Sequence, residues 1–446
     1  PVPGTLSWHH LPPPDPQNTP TPLDLTPDSP ALLTFTSGST GQPKAALRRH
    51  GFLIHQYQIL KEILNLQPGQ VDLCTLPIFV LANLAAGVTS IIPEGNLKVL
   101  GKINPKPILR QMEQHQVTRL VASPAFLDRL SHYGQQQHLT LPHLQTIFLG
   151  GAPVFPATLQ ALQKIAPQAA LIGVYGSTEA EPIATLDYST VSPKNWQKMT
   201  TGGGLLVGKP VLNLEIIPPH WGEPLGPFTE SEFQHHSLPP HQAGEIVVSG
   251  AQVLGSYWRN YGNSTTKFRV GNQVWHRTGD VGYRDHEGQL WLLGRCVGCV
   301  EDQQGVLYPL AVAGVLAECP VVVRSFLLSR RGQRVLVLEL NPKAAHRRKG
   351  WGLKSFLWRT FLPLFPPLGI ISRSKSQDWP PHPLLIPDSE LRSLLARLDW
   401  AHFQQVQIVP HIPVDPRHNA KVDYGLALKK YGFYEPDSQT YSASPH

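Results

Sequence analysis

The sequence predicts an α/β fold: a large N-terminal domain of mixed, largely parallel sheets with helices, a β-rich subdomain inside it, and a small α+β domain at the C-terminal end. Three observations carry this. The 446 residues exceed one ordinary hydrophobic core. From 28 to about 191, short β-type runs alternate with helical stretches. Beyond about 202 the runs shorten between Gly, Pro and Asn turns, and after 295 the pattern changes again.

Taken in order, residues 1–27 are rich in Pro and Thr and read as an extended lead-in. Strands are expected at 32–36, 90–93, 119–122, 146–149 and 170–175, and helices at 45–64, 107–115, 125–133 and 156–165. These belong to a large domain over 28–294. Its 202–294 portion is β-rich, with strands such as 244–249 and 289–293. The Pro- and His-rich stretch 218–242 is expected to be irregular, and its His spacing fits no metal site. The small domain, 295–446, is expected to hold strands at 321–328 and 334–340, a helix at 388–399 and an insert at 343–387. Within 343–375, Lys343, Arg347, Arg348, Lys349, Lys354, Arg359, Arg373 and Lys375 interleave with Trp351, Phe356, Trp358, Phe361 and Phe365. Cations beside aromatics suit a membrane interface or a partner surface, against the plainer reading of an insertion folded back on its domain.

A 41% hydrophobic content with recurring apolar runs excludes a disordered chain, although only 15% of residues are charged. The net charge of +7 suits phosphate-bearing ligands or anionic lipid. With no nucleic-acid motif, no nucleic-acid partner is expected. There is no run of about 18 apolar residues and no signal peptide, so neither a transmembrane helix nor secretion is expected. Four cysteines, Cys74, Cys296, Cys299 and Cys319, point to a reducing, cytoplasmic setting. The Cys296/Cys299 pair lacks the second ligand pair of a structural zinc site and is assigned no role.

The most informative stretch runs from Thr34 to Lys44. Thr36, Ser37, Ser39 and Thr40 supply hydroxyls, Gly38 and Gly41 allow close backbone approach, and Lys44 supplies a cation. Backbone N–H groups in such a turn can form an anion-binding nest. The loop follows a strand, is expected to precede a helix, and has what a polyphosphate needs. It is not a Walker loop, since Pro43 precedes the Lys and no Ser or Thr follows it.

Thr36–Lys44 resembles the signature loop of the adenylate-forming (AMP-binding) superfamily, which includes acyl-CoA synthetases, peptide-synthetase adenylation domains and luciferases. Other motifs of that superfamily follow in order. Gly150, Gly151, Ala152 and Pro153 resemble the turn that lines the adenine pocket. Tyr175, Gly176, Ser177, Thr178 and Glu179 resemble the segment in which Tyr stacks on adenine, Thr touches the α-phosphate and Glu holds Mg²⁺, a metal that prefers oxygen ligands. Thr278, Gly279 and Asp280 resemble the ribose motif, with Asp280 accepting from both hydroxyls. Gly294 and Arg295 resemble the hinge motif, where Arg also reaches the ribose, although Cys296–Cys299 departs from the pattern. Lys421 stands a small domain's length beyond Arg295, where the family carries a Lys that swings in to neutralise charge on the α-phosphate and the attacking carboxylate.

The resemblance implies ATP and Mg²⁺ as cofactors and a carboxylic acid as substrate. The stretches 49–52, 71–87, 123–127 and 413–421 resemble the OleC branch, whose members are fatty acid–CoA ligases or β-lactone synthetases. That branch implies a long-chain, 3-hydroxy fatty acid whose hydroxyl displaces AMP, with CoA thioester formation as the alternative. The apolar run 76–84 is a candidate acyl-pocket wall, or simply buried core. The family also carries a substantial region ahead of the phosphate loop, so the N-terminal part of the large domain is expected to be truncated here. A third reading follows from that: a split or non-catalytic nucleotide-binding protein. Oligomeric state is not readable from the sequence.

Overall fold

The structure, a computed structural model, describes residues 24–36, 44–341, 393, 395–415 and 421–432. The insert at 343–387 and half of the helix expected at 388–399 lie outside them, as do Ser37, Gly38, Ser39, Thr40 and Gly41.

A hairpin opens the described chain. Strand β1 (Pro30–Thr36) pairs antiparallel with β2 (Lys44–Arg49), and helix α1 (His50–Ile63) follows. The phosphate loop therefore joins two antiparallel strands rather than a strand and a helix. The helix expected from 45 begins only at His50, because β1 pairing and a bridge from Ala46 to Tyr257 hold 44–49 extended.

One sheet of 12 strands dominates. Its parallel part comprises β3 (Val71–Cys74), β4 (Thr89–Ile91), β5 (Arg119–Ala122), β6 (Thr146–Gly150) and β7 (Ala170–Ser177), in the order 4-3-5-6-7. Helices α2 (Pro77–Ala86), α3 (Pro105–Gln114), α4 (Pro124–Gln136) and α5 (Pro156–Ile165) alternate with them. Alternation along the strands sorts the two faces. Leu120, Ala122, Ile147 and Leu149 join the core beneath α3, α4 and α5, while Val121 and Phe148 join the core beneath α1 and α2. Pro opens α2, α3, α4, α5, α6 (Pro193–Thr200) and α9, named below, so these prolines sit where a missing N–H costs nothing. The 76–84 run divides. Phe79 and Ala82 are buried in the core, whereas Leu81 and Leu84 face outward.

The β-rich portion is a continuation of the same sheet. Strands β8 (Ala180–Asp187), β9 (Leu205–Pro210), β10 (Asn213–Ile217), β11 (Gly244–Ser249), β12 (Lys267–Val270), β13 (Gln273–Arg284) and β14 (Leu290–Arg295) extend it antiparallel from β7, with β8 and β9 as the join. Two short helices, α7 (Glu230–Gln234) and α8 (Asn263–Thr266), lie among them. The 218–242 stretch is thus irregular apart from α7, which a Thr229/Glu232 capping box nucleates.

After Arg295, a small hairpin of β15 (Val300–Asp302) and β16 (Gly305–Leu307) leads to α9 (Pro309–Leu316) and a sheet of β17 (Val322–Arg330), β18 (Gln333–Leu340) and β19 (Gln405–Val409). Helix α10 (Tyr424–Tyr431) packs on this sheet through Ala427 and Tyr431. Helix α9 serves both units: Ala311 belongs to the large core, and Val312, Val315 and Leu316 to the small one. Among the described residues, no helix is long and apolar enough to cross a membrane.

Candidate active site

The sequence-predicted residues that the structure describes gather near the C-terminal ends of β6 and β7, where ligands bind in open α/β sheets. Gly150 pairs with Val174, which sets Gly151, Ala152 and Pro153 beside Tyr175, Gly176 and Ser177. The chain then reverses through Thr178 and Glu179 into β8, with Ser177 opposite Ala180. The reversal is tight: a Cβ on Gly176 would lie 3.0 Å from the Ala180 carbonyl oxygen.

Strand β13 supplies Asp280 and β14 supplies Arg295, directly opposite each other in register. The Tyr175 hydroxyl donates to Asp280 Oδ2 at 2.7 Å, and Arg295 Nη1 lies 3.3 Å from Oδ1. Arg295 also donates to the Thr278 carbonyl at 2.8 Å, and the Asp280 N–H donates to the Thr278 hydroxyl at 3.1 Å. Gly279 sits at φ +72° with the Trp221 ring 2.8 Å from where its Cβ would be, so no larger residue fits this bend. Burial and the neighbouring Asp280 carboxylate push the Tyr175 phenol well above its ordinary range, so it stays protonated as a donor.

Glu179 stands one turn away. Its Oε1 accepts from the Tyr257 hydroxyl at 2.5 Å, and its carbonyl accepts from the Leu254 N–H at 2.7 Å. Burial alone would raise this carboxyl; His276, the Tyr257 hydroxyl and the Lys267 ammonium together hold it below the usual carboxylate range. His276 is itself pushed down to about 3 by burial and by Lys267, so its ring is neutral at ordinary pH; burial lowers Lys267 to about 7, so the Tyr257 hydroxyl is the steadiest of the three supports. Arg48 donates to the Thr178 carbonyl at 2.8 Å and fixes the turn from the hairpin side.

Thr36 and Lys44 are paired at the loop end of the β1–β2 hairpin, so both ends of the intervening segment lie at this site. Lys44 is buried, with Nζ 5.5 Å from the Tyr257 ring centroid. Burial lowers its affinity for a proton, against the pull of Glu179. The Thr34 and Thr36 hydroxyls are buried and have no hydrogen-bond partner among the described residues.

Lys421 comes from the small unit. Val414 bridges Val422, and the Asp415 N–H donates to the Lys421 carbonyl at 2.9 Å. Burial and Arg295 lower the pKa of the Lys421 ammonium, while Asp280, Asp415 and Glu179 oppose them, so it shares the field of both site carboxylates. The structure therefore brings together Gly151, Ala152, Pro153, Tyr175, Gly176, Ser177, Thr178, Glu179, Asp280, Arg295, Lys421, Thr36 and Lys44. Sequence reasoning missed Tyr257, Lys267, His276, Arg48 and Glu181. Each reaches the site from a distant element, and none stands in a recognisable local pattern. All four cysteines are free. Burial pushes the Cys299 thiol up to about 12, leaving it unreactive.

Comparison with known proteins gives a consistent picture. The sequence profile of the AMP-binding enzyme family matches residues 3–258. The chain is 32% identical over 341 residues to the olefin beta-lactone synthetase of Xanthomonas campestris pv. campestris, covering 72% of this chain and 58% of that protein. It is 31% identical over 362 residues to the olefin beta-lactone synthetase of Stenotrophomonas maltophilia, covering 75% and 63%. It thus spans less than two thirds of the length of these curated relatives. Its fold is that of O-succinylbenzoate coenzyme A synthetase (MenE) from Bacillus subtilis, solved in complex with ATP and magnesium ion. The TM-score is 0.62 at 20% identity, covering 89% of this chain and 70% of that one. A profile match over more than half the sequence, on a fold that gathers its motifs at one strand end, makes this chain a member of the AMP-binding enzyme family.

Proposed function

We propose that this chain activates a fatty acid, a 3-hydroxy fatty acid in particular, by reaction with ATP to give an acyl-adenylate, and that the hydroxyl then displaces AMP to close a β-lactone. The observation that carries the reading is the convergence of Tyr175, Glu179, Asp280, Arg295 and Lys421 on one strand end, with the two carboxylates and two cations in each other's field.

In this reading a carboxylate oxygen attacks the α-phosphorus, the bond to the β-phosphate breaks, and pyrophosphate leaves. Two anions must meet. Unit charges about 4 Å apart repel by about 4 kcal/mol at an effective dielectric near 20, so fixed cations are the remedy. Lys421 supplies one. The donor set also fits magnesium: Glu179 is held ionised, its Oε2 is left over once Tyr257 takes Oε1, and the Thr34 and Thr36 oxygens are buried without partners among the described residues. When bound, Mg²⁺ would supply charge neutralisation at the phosphate oxygens. Tyr175 with Gly151, Ala152 and Pro153 walls the adenine, Asp280 and Arg295 hold the ribose, and Thr36, Lys44 and the loop between them hold the β- and γ-phosphates. In the second step the hydroxyl oxygen bonds to the acyl carbon, the acyl–phosphate bond breaks, and AMP and a proton depart. The nucleophile is already tethered at high effective concentration, so no CoA is needed.

The likeness to two olefin beta-lactone synthetases favours the lactone. The deciding experiment is ATP–pyrophosphate exchange with fatty and 3-hydroxy fatty acids, followed by product analysis with and without CoA. Exchange plus lactone without CoA supports the reading. Thioester without lactone makes the chain an acyl-CoA ligase, and absence of exchange makes it a non-catalytic nucleotide binder.

A further inference from the structure

Tyr257 and Lys267 stand behind Glu179 and take no part in the chemistry assigned above. Tyr257 is 3% exposed. Its hydroxyl donates to Glu179 Oε1 at 2.5 Å, its N–H donates to Asn263 Oδ1 at 3.0 Å, and its backbone bridges Ala46 on β2. Lys267 is also buried. Its Nζ lies 5.6 Å from the Tyr257 ring centroid and donates to the Leu254 carbonyl. Leu254 in turn donates its N–H to the Glu179 carbonyl. Glu179 is thus held at both ends, the carboxylate by Tyr257 and the backbone by Leu254, and Lys267 touches both holders.

We propose that Tyr257 is a positioning residue for Glu179: by occupying Oε1 it fixes the carboxylate and leaves Oε2 to a divalent cation, with Lys267 fixing the Tyr257 ring. A glutamate side chain loses rotamer freedom when fixed, and Tyr257 meets that cost before the cation arrives. The Lys44 ammonium rests on the same ring, so Tyr257 also ties the phosphate-loop lysine to the metal acid. The inference rests on Glu179 being the metal-holding acid.

The test uses the whole chain and reads equilibrium binding. ATP affinity is measured by calorimetry across a Mg²⁺ series for wild type, Tyr257→Phe, Lys267→Met and Glu179→Gln, with AMP binding in the absence of metal as the control. Tyr257→Phe should raise the Mg²⁺ concentration that half-tightens ATP by about 10-fold, the scale for losing an outer-shell partner of a metal ligand. Lys267→Met should shift it in the same direction by a smaller factor, and it serves as the test if Tyr257→Phe fails to fold. A wild-type Mg²⁺ response in both variants overturns the positioning role, as does an equal loss of AMP affinity, which would mean that Tyr257 merely supports the fold. If wild-type ATP binding ignores Mg²⁺ and Glu179→Gln changes nothing, the metal role of Glu179 falls first and this inference with it.

Discussion

The Tyr424 ring occupies the space that a side chain at Gly298 would need: a Cβ there would lie 2.4 Å from Cε1 and 2.6 Å from the hydroxyl oxygen. Gly298 lies on the turn just after Arg295, and Tyr424 is the first residue of α10, three positions beyond Lys421. The contact seats the segment carrying Lys421 against the nucleotide end of the sheet. Gly298→Ala should therefore displace Tyr424 and Lys421 together. A misplacement near 1 Å costs about 10²-fold in a reaction that depends on alignment. Pyrophosphate exchange should fall by that order while the thermal midpoint changes little, because the clash is local. An unchanged exchange rate would show that Lys421 does not depend on this seat.

Removing the cation itself gives a sharper expectation. Lys421→Ala should lower adenylate formation by about 10²–10³-fold, the scale for losing one preorganised charge donor. Binding of AMP should survive, since Asp280, Arg295 and Tyr175 remain paired among themselves. Pre-steady-state pyrophosphate release separates the two quantities. Release at the wild-type rate would remove Lys421 from the chemistry.

Much of this site is legible in the sequence because its residues cluster in short runs that a single strand end displays. Strand 119–122 and helix 156–165 are readable to the residue, since an apolar run buried on both faces and a Pro-started amphipathic segment leave little choice. Other features are not readable. Ala45–Arg49 favours helix by composition, yet pairing with β1 makes it a strand, a tertiary override of local propensity. The join of the β-rich portion to the parallel sheet depends on β8 and β9, whose pairing leaves no local mark. Helix α9 is apolar nearly all round because two cores share it, so a domain boundary at 294 and 295 is sharper in sequence than in space. Tyr257 reaches Glu179 across 78 positions, and no short pattern records such a partnership.

The ribose motif has a buried support that predicts a stability effect. Arg277, next to Thr278, makes a two-pronged pair with Glu245, both hydrogen bonds 2.7 Å long and both side chains almost fully buried. Removing one partner leaves an uncompensated buried charge, a loss of about 3–5 kcal/mol. Glu245→Ala should show it as an earlier denaturant midpoint with an unchanged slope. Replacing both residues with apolar ones of similar volume should recover much of the loss. A single variant as stable as wild type would mean that water reaches this pair.

A last prediction concerns pH. Glu181 is half-buried in β8, two residues from Glu179, and feels Arg48 and Lys421. Burial lifts its carboxyl to about 7 against the pull of both cations, while the unfolded chain has its ordinary value near 4.5. Between these values the native state keeps a proton that the unfolded state has released. Stability therefore falls as pH rises, because the unfolded state binds fewer protons than the native one. The favourable contribution is complete below about 4.5 and is lost as pH passes through 7. Glu181→Gln stays uncharged and escapes this loss. Its thermal midpoint should gain on the wild type steadily from about pH 5 to about pH 8 and run parallel to it above that. A difference that stays constant across the window would mean that Arg48 and Lys421 keep Glu181 ionised throughout, and that the cleft around it is wetter than its burial implies.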